Sequence, residues 1–104
     1  MAKFLFAYRV PRDYTSGRET VTAWTSWFES MGPAWAEPGH GVTESSSLGN
    51  LGPGTRLGGY SVIVASDLAA ATALAQACPA VEFGGGVEIG AIPDDPRNRP
   101  AGRG

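Results

Sequence analysis

A single cysteine, a single histidine and the want of any long apolar run are the scarcities that say most about this chain of 104 residues. Cys78 cannot close an intrachain disulfide, so a reducing compartment, the cytoplasm, is the expected setting. One histidine, one cysteine and scattered carboxylates give no closely spaced ligand set, and neither a metal nor another cofactor is expected. The most apolar stretch, Leu68 to Cys78, carries Thr72 and Gln76 and falls well short of the roughly 20 residues a bilayer span requires. The opening Met-Ala-Lys-Phe-Leu-Phe lacks the three-part layout of a signal peptide. Basic excess is missing too. Eight Lys and Arg against ten Asp and Glu leave a net charge of −2 and a pI near 5.2, which argues against nucleic acid as a partner.

What is present is a two-part pattern of strands and helices. Lys3 to Val10 alternates Phe4, Phe6 and Tyr8 against Leu5, Ala7 and Arg9 and reads as a first strand. Ser16 followed by Glu19 fits a capping box, and Val21, Trp24, Phe28 and Met31 recur at helical spacing, with Trp27 beside that stripe. Gly32-Pro33 stops the helix. A short strand is expected at Ala34 to Glu37, broken by Pro38-Gly39-His40-Gly41, with Val42 to Glu44 resuming its line. Ser45 to Leu57, rich in Gly and Ser, reads as a surface loop.

The second half repeats the plan. Gly58 to Ala65 is apolar on both faces and reads as a buried strand, running into a helix started by Ser66 or Asp67. Leu68, Ala71, Leu74, Ala75 and Cys78 mark that helix's buried side, and Pro79 ends it. Val87 to Ile92 follows a Gly84-Gly85-Gly86 hinge as the last strand. The order is strand, helix, strand, then strand, helix, strand. That is an α+β chain with the ferredoxin-like βαββαβ arrangement, an antiparallel sheet with two helices on one face, and its first and third strands should lie side by side in the centre. One domain spans residues 1–92, and residues 93–104 read as a flexible C-terminal tail. Both faces of the central strands are apolar, so a homodimer is expected, with any pocket open to sharing between copies.

Candidate chemistry is sparse. His40, between two glycines, is the best single acid/base group, against the plainer reading of a turn residue with a solvated ring. Trp24, Trp27 and Trp35 with Phe28, Tyr8 and Tyr60 supply aromatic area that suits core, dimer interface or a pocket for a flat apolar ligand. Trp24 and Phe28 read as core, and Trp27, off the main stripe, as an edge or interface residue. Arg9 and Glu88 lie in predicted strands and should approach as a strand-end ion pair or a ligand anchor. Asp67 reads as a helix cap, and Cys78, at a helix C-terminus, as inert. The glycine triplet precedes a strand and not a helix, so a hinge is expected there rather than a phosphate loop, and the glycines at 52, 54, 58 and 59 are read the same way.

The strand Lys3 to Arg9, the helix segment Ala23-Trp24-Thr25-Ser26-Trp27, Gly59-Tyr60-Ser61-Val62-Ile63, Ser66-Asp67-Leu68-Ala69-Ala70-Ala71, Cys78-Pro79 and Gly85-Gly86-Val87-Glu88-Ile89 together resemble the YCII-related (DGPF-like) family. The resemblance covers residues 3–92. It implies a dimeric α+β barrel, in which two ferredoxin-like sheets pack face to face with helices outside. Some members of that family place a histidine on the first helix paired with an aspartate, and a few act on small aromatic or halogenated ring compounds. Here that helix offers Trp24 and Trp27 and no histidine, and Leu51-Gly52-Pro53-Gly54 stands where relatives have Asp-Gly-Pro-Phe, so the resemblance supplies no dyad. The function expected is a small dimeric YCII-like protein that binds a small aromatic or apolar molecule. The alternatives are a cofactor-free lyase or hydrolase on a small ring compound using His40 with Glu88 or Tyr60, and a non-catalytic structural or regulatory module.

Overall fold

In a computed structural model, which describes residues 2–93, the elements are β1 (Ala2–Pro11), α1 (Arg18–Met31), a single 3-10 turn over Gly32–Ala34, β2 (Trp35–Gly41), β3 (Thr55–Ala65), α2 (Leu68–Ala75), the one-turn helix α3 (Pro79–Glu82) and β4 (Gly86–Ile92). The tail expected at residues 93–104 lies outside the described residues from 94 onward. The strands form one antiparallel sheet in the order β2-β3-β1-β4, so the two most apolar strands hold its centre. This α+β architecture is compatible with the ferredoxin-like arrangement.

Alternation decides which face is covered. Phe4, Phe6, Tyr8 and Val10 of β1, and Ser61, Ile63 and Ala65 of β3, are buried, and they meet Trp27 and Met31 of α1, Ala71 and Ala75 of α2, and Cys78 and Ala80 beyond. All three helices therefore cover one face. Each large side chain buried there contributes about 1.5–3 kcal/mol. The opposite face carries Leu5, Ala7, Tyr60, Val62 and Val64, which the register sets side by side and no element of the described chain covers.

Several local expectations need correcting. The first helix begins at a different cap: Gly17 is extended there, and the Thr20 hydroxyl, not a Ser16–Glu19 pair, accepts from its N–H at 2.7 Å. Its buried stripe is Trp27 and Met31, an i,i+4 pair, whereas Val21 is 55% exposed and Trp24 and Phe28 are half-buried. Positions 24/28 and 27/31 are neighbouring rows of one broad apolar face, and it is the second row that meets the sheet, with Trp27 against Phe6 and Tyr8. Hence Trp27 is core and not an edge residue.

The strand expected to break at Pro38 runs through it. β2 is an edge strand, where a missing N–H costs no ladder hydrogen bond, and register shifts on either side of Glu37 absorb the irregularity. Gly39 takes φ +75°, and a Cβ there would fall on the Tyr60 carbonyl oxygen. β3 starts at Thr55 inside the expected loop, and Gly58 and Gly59 lie within this strand and are not hinges. Gly58 is an extra residue: Tyr8 pairs with Gly59 but Arg9 with Leu57 and Val10 with Arg56. Gly85 packs against the Arg9 backbone and Gly86 already belongs to β4, so the triplet is a close approach and no hinge. The second helix stops at Ala75 with Leu68 exposed, and Asp67 caps it by accepting from the Ala70 N–H at 2.8 Å. Cys78 stands before the turn Pro79–Glu82, not at the end of a continuous helix, and burial pushes its thiol pKa up.

Candidate functional site

Beside the core, where α1 diverges from the β2–β3 edge of the sheet, lies a cleft of about 800 Å³. Drug-sized ligand sites run from about 300 to 1,000 Å³. Its walls are aromatic. Trp24 and Phe28 come from α1, Trp35 from β2 and Tyr8 from β1. Trp24 stands edge-on to Tyr8 with ring centroids 5.0 Å apart, and Phe28 lies 5.8 Å from Trp24 and 5.0 Å from Trp35. Trp27 backs this wall from within the core, with centroids 5.5 Å from both Phe28 and Trp35 and 5.8 Å from Tyr8. A wall of interlocked rings loses little entropy when a flat ligand is added to it, because the rings already sit in one arrangement.

Hydrogen bonds fix the wall. Trp35 Nε1 donates to the Phe28 carbonyl at 2.9 Å, which ties β2 to α1. Trp24 Nε1 donates to the Tyr14 hydroxyl at 3.1 Å, which ties α1 to the loop after β1. At the floor, the Tyr8 hydroxyl donates to Ser61 Oγ at 2.9 Å, and Ser61 donates to the Pro38 carbonyl at 2.7 Å. Burial pushes the Tyr8 phenol well above its ordinary pKa, an effect the Ser61 hydrogen bond partly opposes. Tyr8 is therefore a neutral hydroxyl in the cleft floor and no base.

The mouth is polar. Tyr14, Thr15 and Ser16 of the loop, Thr25 of α1, Thr43 beyond β2 and Arg56 of β3 border it. Arg56 reaches this side because the extra residue Gly58 turns it to the face of Val10, and its Nη2 donates to the Tyr14 carbonyl at 2.8 Å. Among the described residues no group of three His, Cys, Asp or Glu side chains is placed to hold a metal ion, and no helix is long and apolar enough to cross a membrane.

The expected site residues divide. Tyr8, Trp24 and Trp35 converge on the cleft, with Trp27 behind them. His40 and Tyr60 border it from neighbouring strands, but Tyr60 alternates with the buried Ser61 and so points to the uncovered face. The exposed His40 ring lies against it, centroids 6.0 Å apart. Arg9 and Glu88 do not border the cleft and do not pair with each other. The register sets Glu88 opposite Ala7, while Arg9 turns to β3 and donates to Thr55 Oγ1 at 3.1 Å and to the Thr55 carbonyl at 3.0 Å. A better-formed partner in the adjacent strand takes the guanidinium. Sequence reasoning missed Tyr14 and Arg56, and read Trp24 and Phe28 as core where they stand in the cleft wall. Beginning the third strand at Thr55 would have exposed Arg56 as a charged residue inside a central strand.

No family model, curated protein or solved structure matches the chain.

Proposed function

We propose that this protein binds a small aromatic or apolar molecule in the cleft between α1 and the β2–β3 edge, and that it does so as a homodimer of YCII-like subunits. The observation that carries the reading is the wall of Tyr8, Trp24, Phe28 and Trp35 around about 800 Å³ of space. A monomeric core closes such aromatic area; here Trp24, Phe28 and Trp35 stay half-buried around the buried Tyr8. The dimer rests on the uncovered sheet face, where Leu5 is 37% exposed beside Val62 and Tyr60 lies beside Ala7. A second copy of the same face is its natural complement, since an isologous contact pairs an apolar strip with itself. The YCII-like kinship draws its support from the strand and helix segments quoted above and from the strand order β2-β3-β1-β4. A single buried, unpaired cysteine fits action in the cytoplasm.

Binding, and not proton transfer, is the reading favoured here. His40 is exposed with its ring against Tyr60, and no described side chain hydrogen-bonds its imidazole to orient it. The test is an amide chemical-shift titration of the full chain with naphthalenemethanol, an uncharged fused-ring probe. Saturable shifts centred on the Trp24 and Trp35 indole N–H signals, lost in a folded Trp24→Ala variant, support the reading. An unperturbed spectrum at millimolar probe overturns it.

A further inference from the structure

The cleft is charged on one side only. The chain as a whole is acidic, with ten Asp and Glu to eight Lys and Arg, yet among the described residues no Asp or Glu borders the cleft and Arg56 does. Of the donors in its guanidinium fork, one goes to the Tyr14 carbonyl, and the rest meet no partner among the described residues. The Tyr14 hydroxyl accepts from Trp24 Nε1, and its own hydrogen is likewise unspent among the described residues. Tyr14 thus holds Trp24 by its side chain and Arg56 by its backbone, so that unspent donors stand beside the aromatic wall.

Resting on the binding reading above, we propose that the ligand is an aromatic carboxylic acid, its ring against Trp24 and its carboxylate on Arg56. The guanidinium fork matches a carboxylate bidentately, and a half-buried fork is cheaper to commit to that contact than a solvated one. A phosphate monoester fits less well, because its second negative charge finds no further Lys or Arg among the described residues of the lining. An amine is disfavoured outright, for it sets two cations in one small space with no carboxylate between them.

Three probes of one shape separate the charge from the ring: naphthoate, naphthalenemethanol and naphthylmethylammonium, each titrated into the full chain by amide chemical shifts. Naphthoate is expected to bind about tenfold or more tightly than the alcohol, with the ammonium weakest, and the gap narrows as salt is raised. Arg56→Gln is expected to close the gap between naphthoate and the alcohol, the acid losing about tenfold more than the alcohol does, while Arg56→Lys keeps part of the gap. Equal binding of acid and alcohol by the unaltered protein overturns the carboxylate assignment and leaves the cleft reading standing. Equal weakening of both probes by Arg56→Gln also overturns it, marking Arg56 as a strut for the Tyr14 loop. Failure of all three probes to bind removes the cleft reading, and this assignment with it.

Discussion

Tyr8 and Ser61, 53 positions apart in the chain, share a buried hydrogen bond of 2.9 Å that Ser61 extends to the Pro38 carbonyl, so one hydroxyl pair joins β1, β3 and β2 beneath the cleft. Removing Ser61 Oγ strands a buried phenol. Ser61→Ala is expected to lower stability by about 1–3 kcal/mol in urea denaturation, and Tyr8→Phe by less, because the remaining serine keeps Pro38 as acceptor. Full additivity in the double variant would mean that the two hydroxyls do not interact.

The same phenol sets an alkaline limit. Its folded-state pKa is raised, so above the unfolded value of about 10 the native state holds a proton that the unfolded state releases. Stability from this group is fully present below about pH 10 and falls as pH rises beyond it; the raised Cys78 thiol acts in the same direction from about pH 9. Denaturation midpoints measured from pH 7 to 11 should decline at the alkaline end. Tyr8→Phe should flatten the part above pH 10, and an unchanged slope in that variant would contradict the assignment.

Neighbouring tryptophans on one helix should give opposite phenotypes. Trp27→Ala empties the core and is expected to cost about 3–5 kcal/mol. Trp24→Ala, whose ring is half-buried, should cost less and abolish binding of naphthalenemethanol. Thermal melts together with the titration distinguish them, and equal destabilisation by both would refute the division of α1 into a core row and a cleft row.

Alternation across β3 predicts a similar contrast. Ile63 is fully buried and Val62 faces the uncovered side. Ile63→Asp should prevent folding, since a buried unpaired charge costs several kcal/mol, while Val62→Asp should yield a folded monomer. Sedimentation velocity and circular dichroism read both; a Val62→Asp protein that remains dimeric would place the subunit contact elsewhere.

Space, not flexibility, explains Gly85. A Cβ there would lie 2.0 Å from the Arg9 carbonyl oxygen and 2.9 Å from the Val10 Cα, all of it backbone that cannot swing aside. Gly85→Ala should cost roughly 3 kcal/mol or more, whereas Gly54→Ala, with nothing within 4 Å, should be neutral or slightly stabilising. Thermal melts of the two variants check this, and equal midpoints would show that the strand start gives way freely.

The elements with clean periodicity were legible in the residues: β1, the body of β3, the Asp67 cap and the helices on either side. What escaped was set by neighbours. Pro38 and Gly39 look like breakers in isolation, yet an edge strand tolerates one and the Tyr60 carbonyl requires the other. Thr55 to Leu57 read as loop because they close a run rich in Gly and Ser, but pairing with Arg9, Val10 and Pro11 makes those residues strand. All four rings of the aromatic wall stood in the concentration of rings visible in the sequence. Which ring would be core and which would be wall depended on which row of α1 the sheet covers, and no spacing within the helix encodes that.

Gly58 has a consequence out of proportion to its size. Were it drawn into the ladder as an ordinary strand residue opposite Arg9, Leu57 would fall opposite Val10 and Arg56 would pass to the other side of the sheet. The cleft would exchange a guanidinium for an isobutyl group with every side chain of the protein retained. The polarity of this site is thus written in one residue that stays out of the ladder: the bulge turns a guanidinium toward the cleft, where regular pairing would turn a leucine.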